Sequence, residues 1–400
     1  MAAPAAPTFD QHIRLDAVVR DGRLVATRLV TTRDDGLVGR LAGRRLEEIP
    51  ALVSRLFPLC GMAHAIAALT AIEQALSIEV SPAQFAWREL VLLAERGAAL
   101  GWRILMDWPP LLDEAPAVRA CAEFRRAAAA VNRTASPGQL WQIGGGHRQL
   151  DRITLGVEIA ALARMLDALF PEAGDQLSLR ELELAIERGR SVPARLIRFA
   201  RQQLPAAYGH HELPMLSRKD APWFAARLAG EARFSTAPTL DGVPAEVGPL
   251  AAERHALVSA AAAQWGKTLA TRLLACALDA SVTAAALRRT AERVADCEPL
   301  AFDRARSGRG AGVVETARGP LAYFIEAANG RARSLRNVAP TEWNFHADGP
   351  FMAALRAAPR TSDPLRAARM LAASFDPCVP LNIVVADTKQ PVVVEVGCDA

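Results

Sequence analysis

The chain has 400 residues, of which 51% are hydrophobic, so it can bury a large core as one domain or two. Its charge is nearly balanced, with 47 Lys and Arg against 43 Asp and Glu, and the arginines are spread along the chain, which argues against a nucleic-acid partner. The sequence has no uninterrupted apolar window of about 18 residues, so no membrane span is expected. Six scattered cysteines and no secretory signal predict a cytoplasmic protein.

The pattern along the chain begins with a hairpin. Apolar and polar residues alternate over 12–31 around Asp21-Gly22, which predicts two antiparallel strands joined by a tight turn. Abundant alanine and helical spacing then predict helices, in chain order, at 47–79, 81–100, 116–131, 151–169, 178–201, 251–295 (broken near Ser281) and 363–373. Residues 204–248, rich in proline and glycine, are predicted to form an extended excursion or a lid on a single domain of residues 1–400.

Strands are also expected near the C terminus. A hairpin around Asn329-Gly330 is predicted from 313–326 and 332–338, and 391–396 has the composition of a short strand. We expect the strands from the two chain ends to pair with each other. The predicted fold class is therefore α+β, mainly α, with β elements contributed by both ends of the chain.

Several side chains have the chemistry of a functional site without a decisive pattern. Cys60 and His64 are four residues apart before an Ala-rich helix, so their side chains would share one helix face. A lone cysteine more often packs as a small hydrophobe, and a lone histidine as a satisfied core residue. The pair His210-His211 is expected on an exposed loop, and glycine-rich 308–312 does not open a helix after a strand, which argues against a phosphate-binding loop. The remaining cysteines have no partner at ligand spacing: Cys121, Cys276, Cys297 and Cys398.

Two segments at opposite ends of the chain each contain half of a metal-binding pattern. Residues 57–64 read F-P-L-C-G-M-A-H, and residues 376–381 read D-P-C-V-P-L. They resemble the C-x-x-C-x-x-x-H and D-P-C-x-x-C motifs of the large subunit of nickel–iron hydrogenases, in which four cysteines bind the metals. In this chain Phe57 and Leu381 stand at two of those four positions.

Further segments resemble the same family and follow in its order. They are Asp10–Ile13, Leu41–Arg44, Gly144–His147, Glu315–Leu321, Ala339–Asn344, Gly349-Pro350 and Asp363-Pro364. The resemblance covers roughly residues 8–150 and 310–380, and the middle of the chain is too divergent to match. It implies the fold of a hydrogenase large subunit.

The departures from the family concern the metal ligands. Phe57 and Leu381 cannot donate an electron pair, whereas soft metals bind thiolates. Val384 stands where the family has a histidine, and the aspartate expected in the helix after Arg88 is missing, with Ala99 near that point. The resemblance therefore implies that the chain binds no nickel and is not an enzyme that oxidises hydrogen.

This combination is similar to the hydrogenase expression and formation proteins of the HupK/HoxV type, which look like degenerate large subunits. It implies an accessory scaffold that assembles or holds an iron atom with cyanide and carbonyl ligands, Fe(CN)2CO, through Cys60 and Cys378. His64, Arg318 and Asp376 would lie around it, with Arg318 donating to a cyanide nitrogen. The implied partners are the maturation proteins that deliver the iron unit and the apo large subunit that receives it. Metal–sulfur bonds of roughly 2.3 Å require the two sulfur atoms to lie nearly in contact.

Two other hypotheses stay open. The chain could be a metal-free structural partner of hydrogenase components, in which both cysteines are leftovers. It could also be a quinone-site subunit, like the respiratory complex I relative of the large subunit. Only Tyr208 and Tyr323 offer a phenol, however, and neither lies near a cysteine segment in sequence. For Arg318 and Asp376 the ordinary alternatives are a surface salt bridge and a helix or turn cap.

Overall fold

Strands from the two ends of the chain form one sheet. The structure, a computed structural model, describes residues 12–31, 36–135, 141–174, 177–303, 306–386 and 392–396. Its strands are β1 (Ile13–Arg20), β2 (Arg23–Thr31), β3 (Gly308–Thr316), β4 (Gly319–Ala328), β5 (Arg331–Val338), β6 (Leu381–Val385) and β7 (Val392–Val396). One sheet has the order β2-β1-β6-β7 and the other β3-β4-β5. Because β1 pairs in parallel with β6, Ile13 lies opposite Leu381, and the expected pairing of the two chain ends is confirmed.

Helices make up most of the remaining structure. They are α1 (Ile49–Leu56), α2 (Gly61–Ala75), α3 (Pro82–Trp102), α4 (Val118–Ala135), α5 (Arg152–Leu169), α6 (Leu179–Arg188), α7 (Val192–Gln203), α8 (Ala221–Gly230), α9 (Pro249–Ala252), α10 (Ala256–Trp265), α11 (Leu269–Ala291), α12 (Pro340–Asn344), α13 (Pro350–Arg356) and α14 (Pro364–Phe375). A π-helical turn, Arg103–Asp107, continues α3. The predicted class, α+β and mainly α, is confirmed.

Helix α11 lies in the core. Among the described residues, α11 is the one helix that is by itself long and apolar enough to cross a membrane. Its apolar window is 78% buried inside the protein. The segments Leu46–Leu56 and Pro58–Ala75 pass the same test only as a pair, and they are bent by 107°. Burial against other helices is what a core helix of this composition requires.

The glycine-rich segment 308–312 is a strand that lies directly on α2. A Cβ at alternate positions would come within 2.1–2.2 Å of the backbone oxygens of the helix, in the pairs Gly308 with Ala75, Gly310 with Ala71 and Gly312 with Ala67. Only glycine permits this approach of two backbones. The contact fixes β3 and its partner β4 against α2, the helix that begins next to Cys60.

Four element predictions were wrong in detail. The helix expected over 47–79 is divided at Phe57 into α1 and α2. The helix expected over 251–295 breaks at Gly266, whose φ of 74° ends α10, and not near Ser281. Ser281 stays inside α11, where its hydroxyl donates to the carbonyl of Leu278. The strand expected over 313–326 is two strands with a turn at Arg318, and the helix over 178–201 is divided into α6 and α7.

Residues 204–248 pack against the three-stranded sheet. Their aromatic side chains form a cluster with α12, and its members are Trp223, Phe224, Phe234 and Trp343. His211 is buried, which corrects the expected exposed loop, and its Nε2 lies 2.7 Å from Glu246. Burial would raise the pKa of Glu246, but Arg272 and His211 outweigh it and lower that pKa to about 2. That the segment opens as a lid stays a prediction.

Candidate metal site

Cys60 lies at the junction between a short 3₁₀ turn and α2. The next position, Gly61, requires glycine because a Cβ there would lie 2.5 Å from the carbonyl oxygen of Ser54. The half-buried Cys60 lines a cavity of about 10 Å³ together with Glu95, Ala99 and Arg318. This volume is close to the minimum that holds one water molecule.

Cys378 lies just beyond the end of α14 and is also half-buried. Its Sγ lies 3.0 Å from the hydroxyl oxygen of Thr341, which also accepts a hydrogen bond from the Cys378 amide at 3.3 Å. Asp376, which ends the helix with a φ of 52°, turns the chain toward this position. The resemblance marked the segment that contains Thr341, but not this contact.

Arg318 connects the two cysteine segments. From the turn between β3 and β4 its side chain lines the Cys60 cavity, while its Nε donates to the backbone oxygen of Asp376 at 3.1 Å. The same Nε lies 2.8 Å from the Asp376 carboxylate, so the expected pair is present. Both side chains are only 7% exposed, so this is a buried pair and not the surface salt bridge considered as the alternative.

Arg103 adds a second guanidinium that the sequence analysis missed. It lies in the π-helical turn, is 1% exposed and bonds the same carboxylate oxygen of Asp376 as Arg318 does. Burial and the charge of Asp376 raise the pKa of nearby Asp107 to about 7. Burial also raises the pKa of the Cys276 thiol, beside Arg103, to about 11. The cluster therefore contains two guanidinium groups around one carboxylate.

His64 is buried and packed by aromatic rings. Its Nδ1 lies 2.6 Å from the hydroxyl of Tyr323, and the ring of Phe57 stacks on it with centroids 3.8 Å apart. Burial, and then the charge of Cys60, raise the pKa of Tyr323 well above its usual value. Its hydroxyl contacts His64, four residues after Cys60. The distance of Tyr323 from the cysteines along the sequence was therefore a wrong argument, because the fold brings Tyr323 to the helix that follows Cys60. Phe57, at a lost cysteine position, fills space beside His64.

Leu381, at the other lost cysteine position, is fully buried in β6 opposite Ile13. Cys121, Cys276 and Cys297 are buried, as expected of apolar fillers, while Cys398 and the Asp10-Gln11 part of the N-terminal resemblance lie outside the described residues. Over the described part of the chain, no three His, Cys, Asp or Glu side chains are grouped to hold a metal ion. That the sulfur atoms of Cys60 and Cys378 reach one metal stays a prediction.

The fold is that of the large subunit of nickel–iron hydrogenases. The structure matches that of the reduced Ni-Fe-Se hydrogenase from D. vulgaris Hildenborough with a TM-score of 0.68 and 16% identity, over 90% of this chain and 95% of that chain. The Ni-Fe-Se hydrogenase from Desulfomicrobium baculatum matches with a TM-score of 0.62 and 16% identity, over 90% and 95% of the two chains. No family model matches the sequence.

Relatives in sequence identify the family. The chain is 31% identical to hydrogenase expression/formation protein HupK of Rhizobium leguminosarum bv. viciae over 385 residues, which are 93% of this chain and 95% of the relative. It is 28% identical to hydrogenase expression/formation protein HoxV of Cupriavidus necator, over 87% of this chain and 90% of the relative. The chain belongs to the HupK/HoxV family of hydrogenase expression/formation proteins.

Proposed function

We propose that this protein is a non-enzymatic scaffold in hydrogenase maturation that holds an Fe(CN)2CO unit through Cys60 and Cys378. The observation that supports this is the convergence of both cysteine segments on Arg318, which lines the Cys60 cavity and bonds Asp376, two residues before Cys378. A buried guanidinium that lines the cavity of one half-buried thiol and bonds the chain two residues before the other suits an anionic iron fragment that prefers soft ligands.

The chemistry needs only what the residues supply. Each thiol releases its proton when it binds iron, so the site loses two protons and gains two thiolate ligands. Arg318, fixed by Asp376, would donate to a cyanide nitrogen. The iron unit brings its own three diatomic ligands, so no further protein ligand is required.

Loading requires the walls of the site to separate. The cavity beside Cys60 has a volume of about 10 Å³, whereas an iron atom with three diatomic ligands is far larger than one water molecule. We propose that the segment before α2 moves away from Arg318 when the unit enters. Phe57, stacked on His64, takes up room and offers no ligand, so the site would hold iron without nickel.

The proposed setting is the cytoplasm, where thiols stay reduced. There the protein would receive the iron unit from the maturation proteins that carry it and pass it to an apo large subunit. The likeness between this fold and that of the large subunit supports a common arrangement of the chain ends in the two proteins.

Infrared spectroscopy of the full chain, isolated from cells that make hydrogenase, tests the proposal. We expect cyanide and carbonyl stretching bands in the wild-type protein and their loss in Cys60→Ser and in Cys378→Ser. Cys121→Ser is the matched control, because this buried cysteine lies on α4, and it should keep the bands. Wild-type protein without bands, or bands that survive both substitutions, would refute the scaffold role.

The small size of the cavity favours a second candidate, a metal-free partner of hydrogenase components. In that case both thiols would be dispensable. A Cys60→Ala/Cys378→Ala variant that supports full hydrogenase maturation in cells would establish this candidate, and loss of maturation would exclude it.

A further inference from the structure

The helix that follows Cys60 begins unlike most of the long helices in this chain. Other helices start at a serine or aspartate whose own side chain accepts a backbone N–H of the first turn, and these residues are Ser81, Asp151, Ser178, Ser191, Asp220 and Asp363. At α2 the corresponding residue is Cys60, whose side chain makes no such bond. Cysteine is a poor capping residue.

Glu95, on α3, supplies this cap from a distance. One carboxylate oxygen accepts the amide of Met62 at 2.7 Å and the other accepts the amide of Ala63 at 3.0 Å. These amides have no partner inside the helix, and the carboxylate also opposes the positive end of the helix dipole. One side chain, 32 residues away from Ala63 in sequence, therefore fixes the turn that contains Cys60.

Glu95 also belongs to the wall of the site. It lines the same cavity as Cys60 and Arg318. Burial raises its pKa to about 7, while the Met62 and Ala63 amides and the charge of Arg318 act in the opposite direction. The carboxylate is thus held by the α2 amides and lines the same cavity as Arg318.

We infer that Glu95 is the positioning residue of the site: by capping α2 from outside, it sets the place of the Cys60 thiol relative to Arg318. This inference rests on the proposed function for its purpose, but its test does not need the iron unit. Glu95 accepts the backbone amides that a capping serine or aspartate accepts in the other helices. The capping position of α2 is therefore occupied by Cys60, the proposed sulfur ligand.

Site-resolved thiol labelling of the purified full chain tests this. Peptide mass spectrometry follows alkylation of Cys60 by iodoacetamide, with Cys378 in the same molecule as the reference. In Glu95→Ala at pH 8, above the raised pKa of Glu95, we expect Cys60 to react about tenfold faster or more, because hydrogen bonds to the ionised carboxylate are worth more than one power of ten. The rate at Cys378 should stay within about twofold of wild type, since its contacts are to Thr341.

Hydrogen exchange and two further variants complete the test. The amides of Met62 and Ala63 should exchange faster in Glu95→Ala, and Glu95→Gln, which keeps one acceptor oxygen, should fall between it and wild type. Glu89→Ala is the matched control, because Glu89 is on the same helix but pairs with Arg293.

Each outcome decides the inference. Unchanged Cys60 labelling and unchanged exchange in both Glu95 variants would overturn it, as would equal acceleration at Cys60 and Cys378, which indicates a general loss of stability. If Glu95→Ala does not fold, Glu95→Gln gives the same reading. Absent infrared bands in wild type would refute the iron scaffold alone, because the labelling result stands without them.

Discussion

Replacing Gly312 with alanine tests the contact that holds β3 on α2. An added Cβ would lie 2.1 Å from the carbonyl oxygen of Ala67 and 2.7 Å from the amide nitrogen of Ala71. Both are backbone atoms, so neither can rotate away. Cβ contacts below 3.0 Å are essentially never seen, so the strand must retreat from the helix by about 1 Å.

That retreat should cost much of the stability of the domain. Overpacking in a core usually costs about 1–3 kcal/mol, and here rigid backbone on both sides places the expected loss at about 3 kcal/mol or more. Gly312 pairs with Tyr323 across the sheet, so the retreat also draws Tyr323 away from His64. Urea and thermal unfolding of the purified full chain measure the loss.

Gly156 provides the control with the opposite sign. It lies inside α5, and no heavy atom lies within 4 Å of a Cβ at that position. Alanine there should stabilise the protein by roughly 0.5–1 kcal/mol, because it restricts the unfolded chain and favours helix. A Gly312→Ala variant within about 0.5 kcal/mol of wild type would mean that β3 does not rest on α2 as described.

Two further predictions concern the buried charges. Asp376→Asn leaves Arg103 and Arg318 facing each other and should lower the free energy of unfolding in urea by about 3–5 kcal/mol. Arg103→Met should lower it less, because Arg318 still pairs with Asp376. Equal losses in the two variants would contradict this prediction. The pKa of Glu95 and that of Asp107 are both raised to about 7, so the folded state binds more protons and stability should fall as pH rises from 4.5 toward 7. The slope is at most about 1.4 kcal/mol per pH unit for each group, and thermal unfolding of Glu95→Gln and Asp107→Asn should show a flatter dependence; an unchanged slope would refute the assignment.

The sequence was informative where chemistry and order along the chain coincide. Two cysteine segments in the order of a known family predicted both the fold and the approach of Asp376 to Arg318. Alternation and an Asp-Gly turn were enough for the first hairpin. Strand patterns at both chain ends led to the expectation that they pair, and the pairing is observed between Ile13 and Leu381.

What the sequence did not indicate depends on contacts between distant segments. Glu95 and Arg103 lie in one helical stretch with ordinary composition, and only the fold brings them to Met62 and Asp376. Tyr323 was judged by its position in sequence, although β4 carries it to His64. Such partners have no local signature, because a hydrogen bond across tertiary structure places no requirement on neighbouring residues.

Glycine was the signal most often misread. The helix over 251–295 breaks at Gly266, a glycine before a polar residue, and not at Ser281. The Ser281 hydroxyl donates to the carbonyl of Leu278 within α11. The alternation of glycines at 308–312 was used only to reject a phosphate loop. Glycine at every second position leaves one face of a strand without side chains. This pattern indicates a strand whose backbone packs directly against the backbone of another element.

Under the proposed function, the parallel ladder between β1 and β6 would make metal binding depend on completed folding. Cys60 follows the N-terminal hairpin and α1, and Cys378 precedes β6, so the two segments come together only when β1 and β6 pair and close a loop of several hundred residues. Such distant closure is slow compared with local helix formation. If the proposed function holds, a nascent or misfolded chain would lack the two-thiol site, and only completely folded molecules would bind the iron unit.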